Sequence, residues 1–159
     1  MQKRSRRVFM APLNERVLLP DEGAEVRLNP MERTLYRLFL KHPEGLSADA
    51  LPLHWQELEA IYAQESCFVD EAVRERTLAS LCAESKKVFY TTVSRIKRQF
   101  VKAVGGSRAK PYYIARDKHG VYKTRATASG PFVGRCLLSD FRPRRDLVAI
   151  QVPAAQLLP

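Results

Sequence analysis

Six side chains in one short stretch have the types and spacing to act together: Lys87, Thr91, Ser94, Arg95, Arg98 and Lys102. Intervals of mostly three and four place them on a single face of a helix. A guanidinium can bond guanine O6 and N7 at once, a hydroxyl suits a phosphate or a base edge, and an ammonium neutralises a phosphate. The chemistry in question is recognition of a polyanion rather than bond-making. A second group follows at Arg116, Lys118 and Lys123, around Gly120. There Val121-Tyr122-Lys123 and Tyr112-Tyr113-Ile114 read as two strands of a hairpin with a basic, glycine-containing tip. Such a hairpin can hold the helix at a fixed depth by lying on a neighbouring phosphate or in the minor groove.

The face opposite the six polar groups carries Phe89, Val93, Ile96, Phe100 and Ala103 or Val104. These predict one amphipathic helix over about residues 86–104, with a core-facing stripe that Gly105-Gly106 ends. The surrounding charge is local. From Lys86 to Arg125 there are twelve Lys and Arg against one acid, Asp117, whereas acids outnumber bases from Val8 to Ser85. The whole chain of 159 residues has a formal net charge of +10. A concentrated basic run points to an acidic partner more firmly than a basic average does.

The elements that must position this helix can be read upstream. Residues 8–28 read as short strands, with Pro20-Asp21-Glu22-Gly23 as a turn between Val17-Leu18-Leu19 and Glu25-Val26-Arg27-Leu28. Asn29-Pro30 starts a helix, Asn29 as cap and Pro30 in the first position. Leu35, Leu38 and Phe39, widened by Tyr36 and Leu40, form its buried side, with Arg33, Arg37 and Lys41 assigned to the surface. His42-Pro43-Glu44-Gly45 ends it. Ser47 is expected to cap a second helix burying Leu51, Trp55, Leu58 and Tyr62, with Pro52 as a constraint near its start. A third helical segment is expected over about 69–81 with Val73, Leu78 and Leu81 inward. The acidic region 57–84 is expected to pack away from any phosphate backbone. Residues 126–134, small in type, read as a linker, and Leu147–Val152 as a strand in the tail. The division expected is 1–125 for one folded unit and 126–159 for linker and tail, the latter an added strand or self-association element. The class is α+β.

This order resembles the winged-helix effector domain of OmpR-type response regulators, over about residues 16–125. Leu28-Asn29-Pro30-Met31-Glu32 is similar to that family's Leu-Thr-x-x-Glu start. Val93-Ser94-Arg95-Ile96-Lys97-Arg98-Gln99-Phe100 is similar to its Ile-Ser-Arg-Leu-Arg-Lys-Lys-Leu run in the recognition helix, and Gly120-Val121-Tyr122-Lys123 to the Gly-Tyr-Arg end of its wing. The resemblance implies a winged helix-turn-helix with N-terminal strands, three or four helices and a C-terminal hairpin wing. It also implies a DNA-binding regulator of transcription. Leu35–Gly45 further resembles a group of uncharacterised bacterial proteins, which implies no activity. The chain departs from the OmpR-type pattern in having no receiver domain, a longer segment over roughly 56–85, and a tail after Arg125 without counterpart.

Other chemistries are poorly represented. There is no Gly-rich phosphate loop, H-E-x-x-H or G-x-S-x-G, so no enzyme and no cofactor are expected. Glu57 and Glu59 sit two apart and face different directions; His54 reads as a surface or satisfied histidine, and His119 as a turn residue or phosphate contact. Cys67, Cys82 and Cys136 form no C-x-x-C pair, and His42, His54 and His119 are scattered, so neither a disulfide framework nor a zinc site is expected. The apolar runs are too short and too interrupted for a membrane span, and Val8–Leu13 is too short for an export signal. A cytoplasmic protein with no membrane partner is expected. Duplex DNA is the first partner expected, and a homodimer is plausible because one winged helix reads few bases. Two other readings stay open: RNA binding through an exposed Tyr112 or Tyr113 with the basic helix, and a protein–protein interaction module in which the basic face is a bystander.

Overall fold

Strand patterning at the N-terminal end becomes β1 (Arg6–Met10), β2 (Arg16–Leu19) and β3 (Ala24–Arg27) in the structure, a computed structural model that describes residues 6–11, 14–66 and 68–128. Val8, Val17, Leu19 and Val26 bury one face of these strands. Asn29 then caps α1 (Pro30–Lys41) as the sequence predicts, and does more. Its side chain accepts from the Glu32 amide at 2.8 Å, and the Glu32 carboxylate accepts from the Asn29 amide at 3.0 Å. This reciprocal box satisfies two amides at once and fixes the helix start.

Every residue from Glu32 to Phe39 is buried, so α1 is covered on all sides. Arg33 and Arg37, expected on the surface, lie inside. The reason is Glu65, delivered from the far end of α2 (Trp55–Glu65). Its side chain is fully buried between the two guanidinium groups, with Arg33 Nε at 2.6 Å and Arg37 Nε at 2.9 Å. Arg33 also donates to the Leu28 carbonyl. The Arg37 contact is close but not aligned as a hydrogen bond, and burial pulls this guanidinium below its ordinary pKa, against the attraction of Glu65.

Between α1 and α2 come β4 (Leu46–Ser47) and a 3-10 helix (Ala48–His54). Ser47 caps this 3-10 turn, not α2: its hydroxyl accepts from the Ala50 amide at 3.2 Å. Pro52 lies within it and has no amide to donate, so the single helix expected from Ser47 onward is divided in two. Leu51 and Leu58 are fully buried and Tyr62 nearly so, while Trp55 packs from the margin.

α3 (Glu71–Leu81), capped by Asp70, buries Leu78 and Leu81, but Val73 is exposed rather than inward. α4 (Lys87–Val104) is the helix expected over 86–104. The short α5 (Gly106–Ala109) follows directly after Gly105, where only a stop was expected. Ala109 is buried, which gives that turn its anchor.

The hairpin is β5 (Ala115–Arg116) with β6 (Val121–Lys123). Its first strand therefore starts after Ile114, and Tyr112-Tyr113-Ile114 is not part of it. Tyr112 is instead fully buried, stacked on Phe100 with ring centroids at 6.0 Å. Its carbonyl accepts from both the Tyr36 hydroxyl and the Thr124 hydroxyl, each at 2.7 Å. β7 (Ala126–Ala128) pairs in parallel with β1 in the register Arg6 to Ala126. The first residues of the stretch expected as linker are thus a strand of the main sheet, and the fold continues past Arg125. The strand expected over 147–152 lies outside the described residues, as do Cys67 and Cys136.

Among the described residues the architecture is α+β, with five α-helices and two sheets of order β3-β2-β1-β7 and β4-β6-β5. No helix among them is long and apolar enough to cross a membrane. Replacing Glu65 with Gln is expected to cost about 3–5 kcal/mol of stability, since two buried guanidinium groups lose their counter-charge. Replacing Arg33, Arg37 and Glu65 together with apolar residues of similar volume is expected to cost far less. Urea unfolding of the two variants measures both.

Candidate nucleic-acid interface

The orientation of α4 is set by its apolar side. Phe89, Ile96 and Phe100 are fully buried, with Thr92 beside them. Phe39 meets Phe89 at 6.4 Å and Tyr36 meets Phe100 at 5.2 Å between ring centroids, so both ends of α4 are held on α1. Fixing that side fixes the other. Lys87, Thr91, Ser94, Arg95, Arg98 and Lys102 are all exposed. None of their four cationic groups forms an ion pair within 4.0 Å with a carboxylate of the described residues. Arg95 sits at the border of the face. It also lines an open cleft of about 390 Å³ between the start of α1, α3 and α4, together with Glu32, Arg76 and Thr92.

The start of α4 is built differently from that of α1. Lys86 precedes it in the left-handed region, at φ 55°. That conformation is unfavourable for any residue with a Cβ. The Lys86 ammonium is held by the Asp49 carboxylate of the 3-10 helix, and this bond raises its pKa. No side chain of the cap residue bonds the first-turn amides, and the first turn contains no acid. Lys87 therefore adds positive charge at the positive end of the helix dipole. That arrangement costs a few tenths to about 1 kcal/mol, and a bound anion would relieve it.

The basic hairpin is seated against that same end. Tyr122 of β6 meets Phe89 edge-on at 5.1 Å and Tyr90 at 6.4 Å. β4 pairs with β6, with Leu46 opposite Tyr122 and Ser47 opposite Val121, and so ties the hairpin to the exit of α1. Arg116, Lys118 and Lys123 are exposed. Asp117, the lone acid of the basic run, is turned into the tip. Its carboxylate accepts from the His119 amide at 2.8 Å and the Val121 amide at 3.0 Å. The bond from Val121 is the main cause that holds its pKa below the usual aspartate value, with Lys123 and His119 contributing through their charge. Gly120 at φ 78° closes the turn under the Arg116 guanidinium.

The sequence-derived groups on α4 thus share one face, and the hairpin groups stand off its first turn. Tyr90, 47% exposed and three residues from Lys87 and four from Ser94, extends the same face. It stands next to Phe89 in sequence, and its ring is told from a core aromatic only once the buried side of α4 is fixed. Tyr112 is not available to stack on a base. Its phenol is pushed up to about 12, by burial first and then by Glu22 and Asp21. Tyr113 is half-buried, with the Lys97 ammonium 5.1 Å above its ring. Searches of protein-family models, of curated proteins and of solved structures find no significant match to this chain.

Gly45 is the seat of the hairpin. It adopts φ +92°, and a Cβ there would lie 2.6 Å from Val121 Cγ1 and 2.8 Å from the Tyr122 carbonyl. Gly45→Ala is expected to cost about 1–3 kcal/mol through backbone strain and the displaced strand. Thermal denaturation should register the loss, and the Tyr122 ring resonances should shift with the strand.

Proposed function

We propose that this chain is a DNA-binding protein of the winged helix-turn-helix kind, a regulator of transcription that acts by binding rather than by catalysis. The observation that carries the reading is the exposed face of α4, whose four cationic groups form no ion pair with a carboxylate of the described residues, adjoining a helix start with no side-chain cap and no acid in its own first turn. In this reading α3, the turn at Cys82–Lys86 and α4 form the helix-turn-helix. α4 enters the major groove with its N-terminal residues nearest the bases. Lys87, Thr91 and Ser94 face base edges or the nearest phosphates, and Arg95, Arg98 and Lys102 run along the groove wall. The β5–β6 hairpin is the wing, and its Arg116, Lys118 and Lys123 rest on the backbone. The hairpin is the first pair of strands after the basic helix, separated from it by the single turn of α5, and this order and its attachment to β4 support the winged-helix assignment. The resemblance to OmpR-type effector domains points the same way. Two copies on neighbouring half-sites would extend the few base pairs that one such helix reads. Burial of Tyr112 removes one of the two rings on which the RNA reading depended.

The Arg95→Ala, Arg98→Ala double variant is expected to bind duplex DNA at least tenfold more weakly at about 0.1 M salt. Its plot of log affinity against log salt should be shallower by about one for each phosphate that the variant no longer neutralises. A competition shift assay with duplex DNA, structured RNA and single strands checks the class of partner. Unchanged affinity in the double variant would discard these residue assignments. Preference for structured RNA would favour RNA recognition, and absent or salt-insensitive binding a protein-interaction module.

A further inference from the structure

Three side chains that are separated in sequence and outside the basic face converge at the corner between α1 and α2. His42 is the C-terminal cap residue of α1, His54 the last residue of the 3-10 helix, and Glu57 lies in the first turn of α2. The two imidazole rings meet at 4.7 Å between centroids, edge to face. His42 Nε2 lies 3.0 Å and 2.9 Å from the two oxygens of Glu57. His54 Nδ1 lies 3.9 Å from Glu57 Oε1. One donor atom from each residue falls within 4.8 Å of the others.

A tetrahedral ion with ligand bonds near 2.0–2.1 Å spaces its donor atoms roughly 3.3 Å apart. The separations here, from 2.9 Å to at most 4.8 Å, bracket that value, so an ion needs changes of a few tenths of an ångström to about 1.5 Å between side chains that are only partly buried. A fourth side chain orients the first. Glu44 Oε1 lies 3.1 Å from His42 Nδ1. Both ring nitrogens of His42 face carboxylates and donate to them, Nδ1 to Glu44 and Nε2 to Glu57; an ion that displaces the Nε2 proton gains that lone pair while Glu44 still holds the proton on Nδ1. This is the outer carboxylate that metal-bound histidines commonly carry. Two imidazoles and one carboxylate suit a borderline divalent ion, and three protein ligands leave a position for solvent or a further ligand. The site lies between the carbonyl end of α1, whose dipole favours a cation, and the amide end of α2, whose dipole opposes one, so the attraction for a cation rests on the three ligands and not on the helix ends.

We propose that His42, His54 and Glu57 bind a divalent transition-metal ion of the zinc class, with Glu44 orienting His42. Scattered histidines gave no sign of such a site in the sequence; the 3-10 turn at Ala48–His54 brings them together. The ion would join the end of α1 to the start of α2 across the segment that contains β4 and Gly45, and so brace the corner on which the hairpin rests. The proposal does not depend on nucleic-acid binding.

The test is titration of the full-length chain with Co²⁺, then displacement by Zn²⁺. The expected result is one equivalent of Co²⁺ bound with visible ligand-field bands of nitrogen and oxygen coordination, without a thiolate charge-transfer band. The His42 and His54 ring-proton resonances should be lost to paramagnetic broadening. His42→Ala and His54→Ala should each weaken binding at least tenfold, and Glu44→Gln by about 10–100-fold. Zn²⁺ should raise the melting temperature of the unaltered chain but not of His54→Ala. Absence of ligand-field bands in excess Co²⁺, a thiolate band, or broadening that spares both histidines would overturn the proposal. The last measurement uses the unaltered chain, so it decides the matter even if a histidine variant fails to fold.

Discussion

Glu65 lies where water does not reach, with the Arg33 and Arg37 guanidinium groups on either side. Each of these charges is costly to bury alone, and their mutual attraction offsets the cost only while all three hold their places. The cluster therefore fixes how α2 approaches α1, and it permits α1 to be buried on every side. The rest of the fold is arranged around that helix. α1 meets α4 through Tyr36 on Phe100 and Phe39 on Phe89. β7 and the Tyr112 carbonyl also meet α1, the latter through the Tyr36 hydroxyl. The direction in which α4 presents its cations is set, through these rings, by a helix that itself has no exposed face.

The two long helices obey local rules to different degrees. α1 has a capping box, proline in its first turn, an acid near its start and Lys41 in its last turn. All of these agree with its dipole and its backbone needs. α4 starts from a left-handed lysine, has no side-chain cap and places Lys87 at its positive end. Stability alone would favour glycine and an acid at those positions. Departures from local consistency concentrate where a protein meets its ligand, and here they concentrate at the end of α4 next to the hairpin.

Much of the framework could be read from residue type and period. Asn29-Pro30 marks the start of α1, Gly45 the turn after it, and Phe89, Ile96 and Phe100 the buried side of α4. These features are local, so the sequence exposes them directly. The six polar positions on α4 followed from its stripe by geometry alone. What stayed hidden depends on partners distant in sequence. Arg33 and Arg37 read as surface residues because periodicity scores a guanidinium as solvated, and their partner Glu65 is a whole connection away. Val73 read as inward on an apolar pattern that tertiary packing overrode. Tyr112 read as a strand residue because aromatic runs favour strands, yet two hydroxyls from separate elements capture its carbonyl. Small residues at 126–128 resemble a linker until β1 is seen beside them. Pro52 gave a usable signal, since a missing amide in the expected first turns already argued against one continuous helix.

The parallel pairing of β7 with β1 unites segments more than a hundred positions apart. A pairing of that sequence separation forms only after a large loss of chain entropy, and such pairings slow folding. The helices and the antiparallel hairpins rest on nearby residues and can assemble before it. Synthesis from the N-terminus leaves β1 with an open edge until the last described strand has emerged. During that interval β1 has only β2 as a neighbour in the sheet, and its free side is an edge open to pairing with the wrong strand.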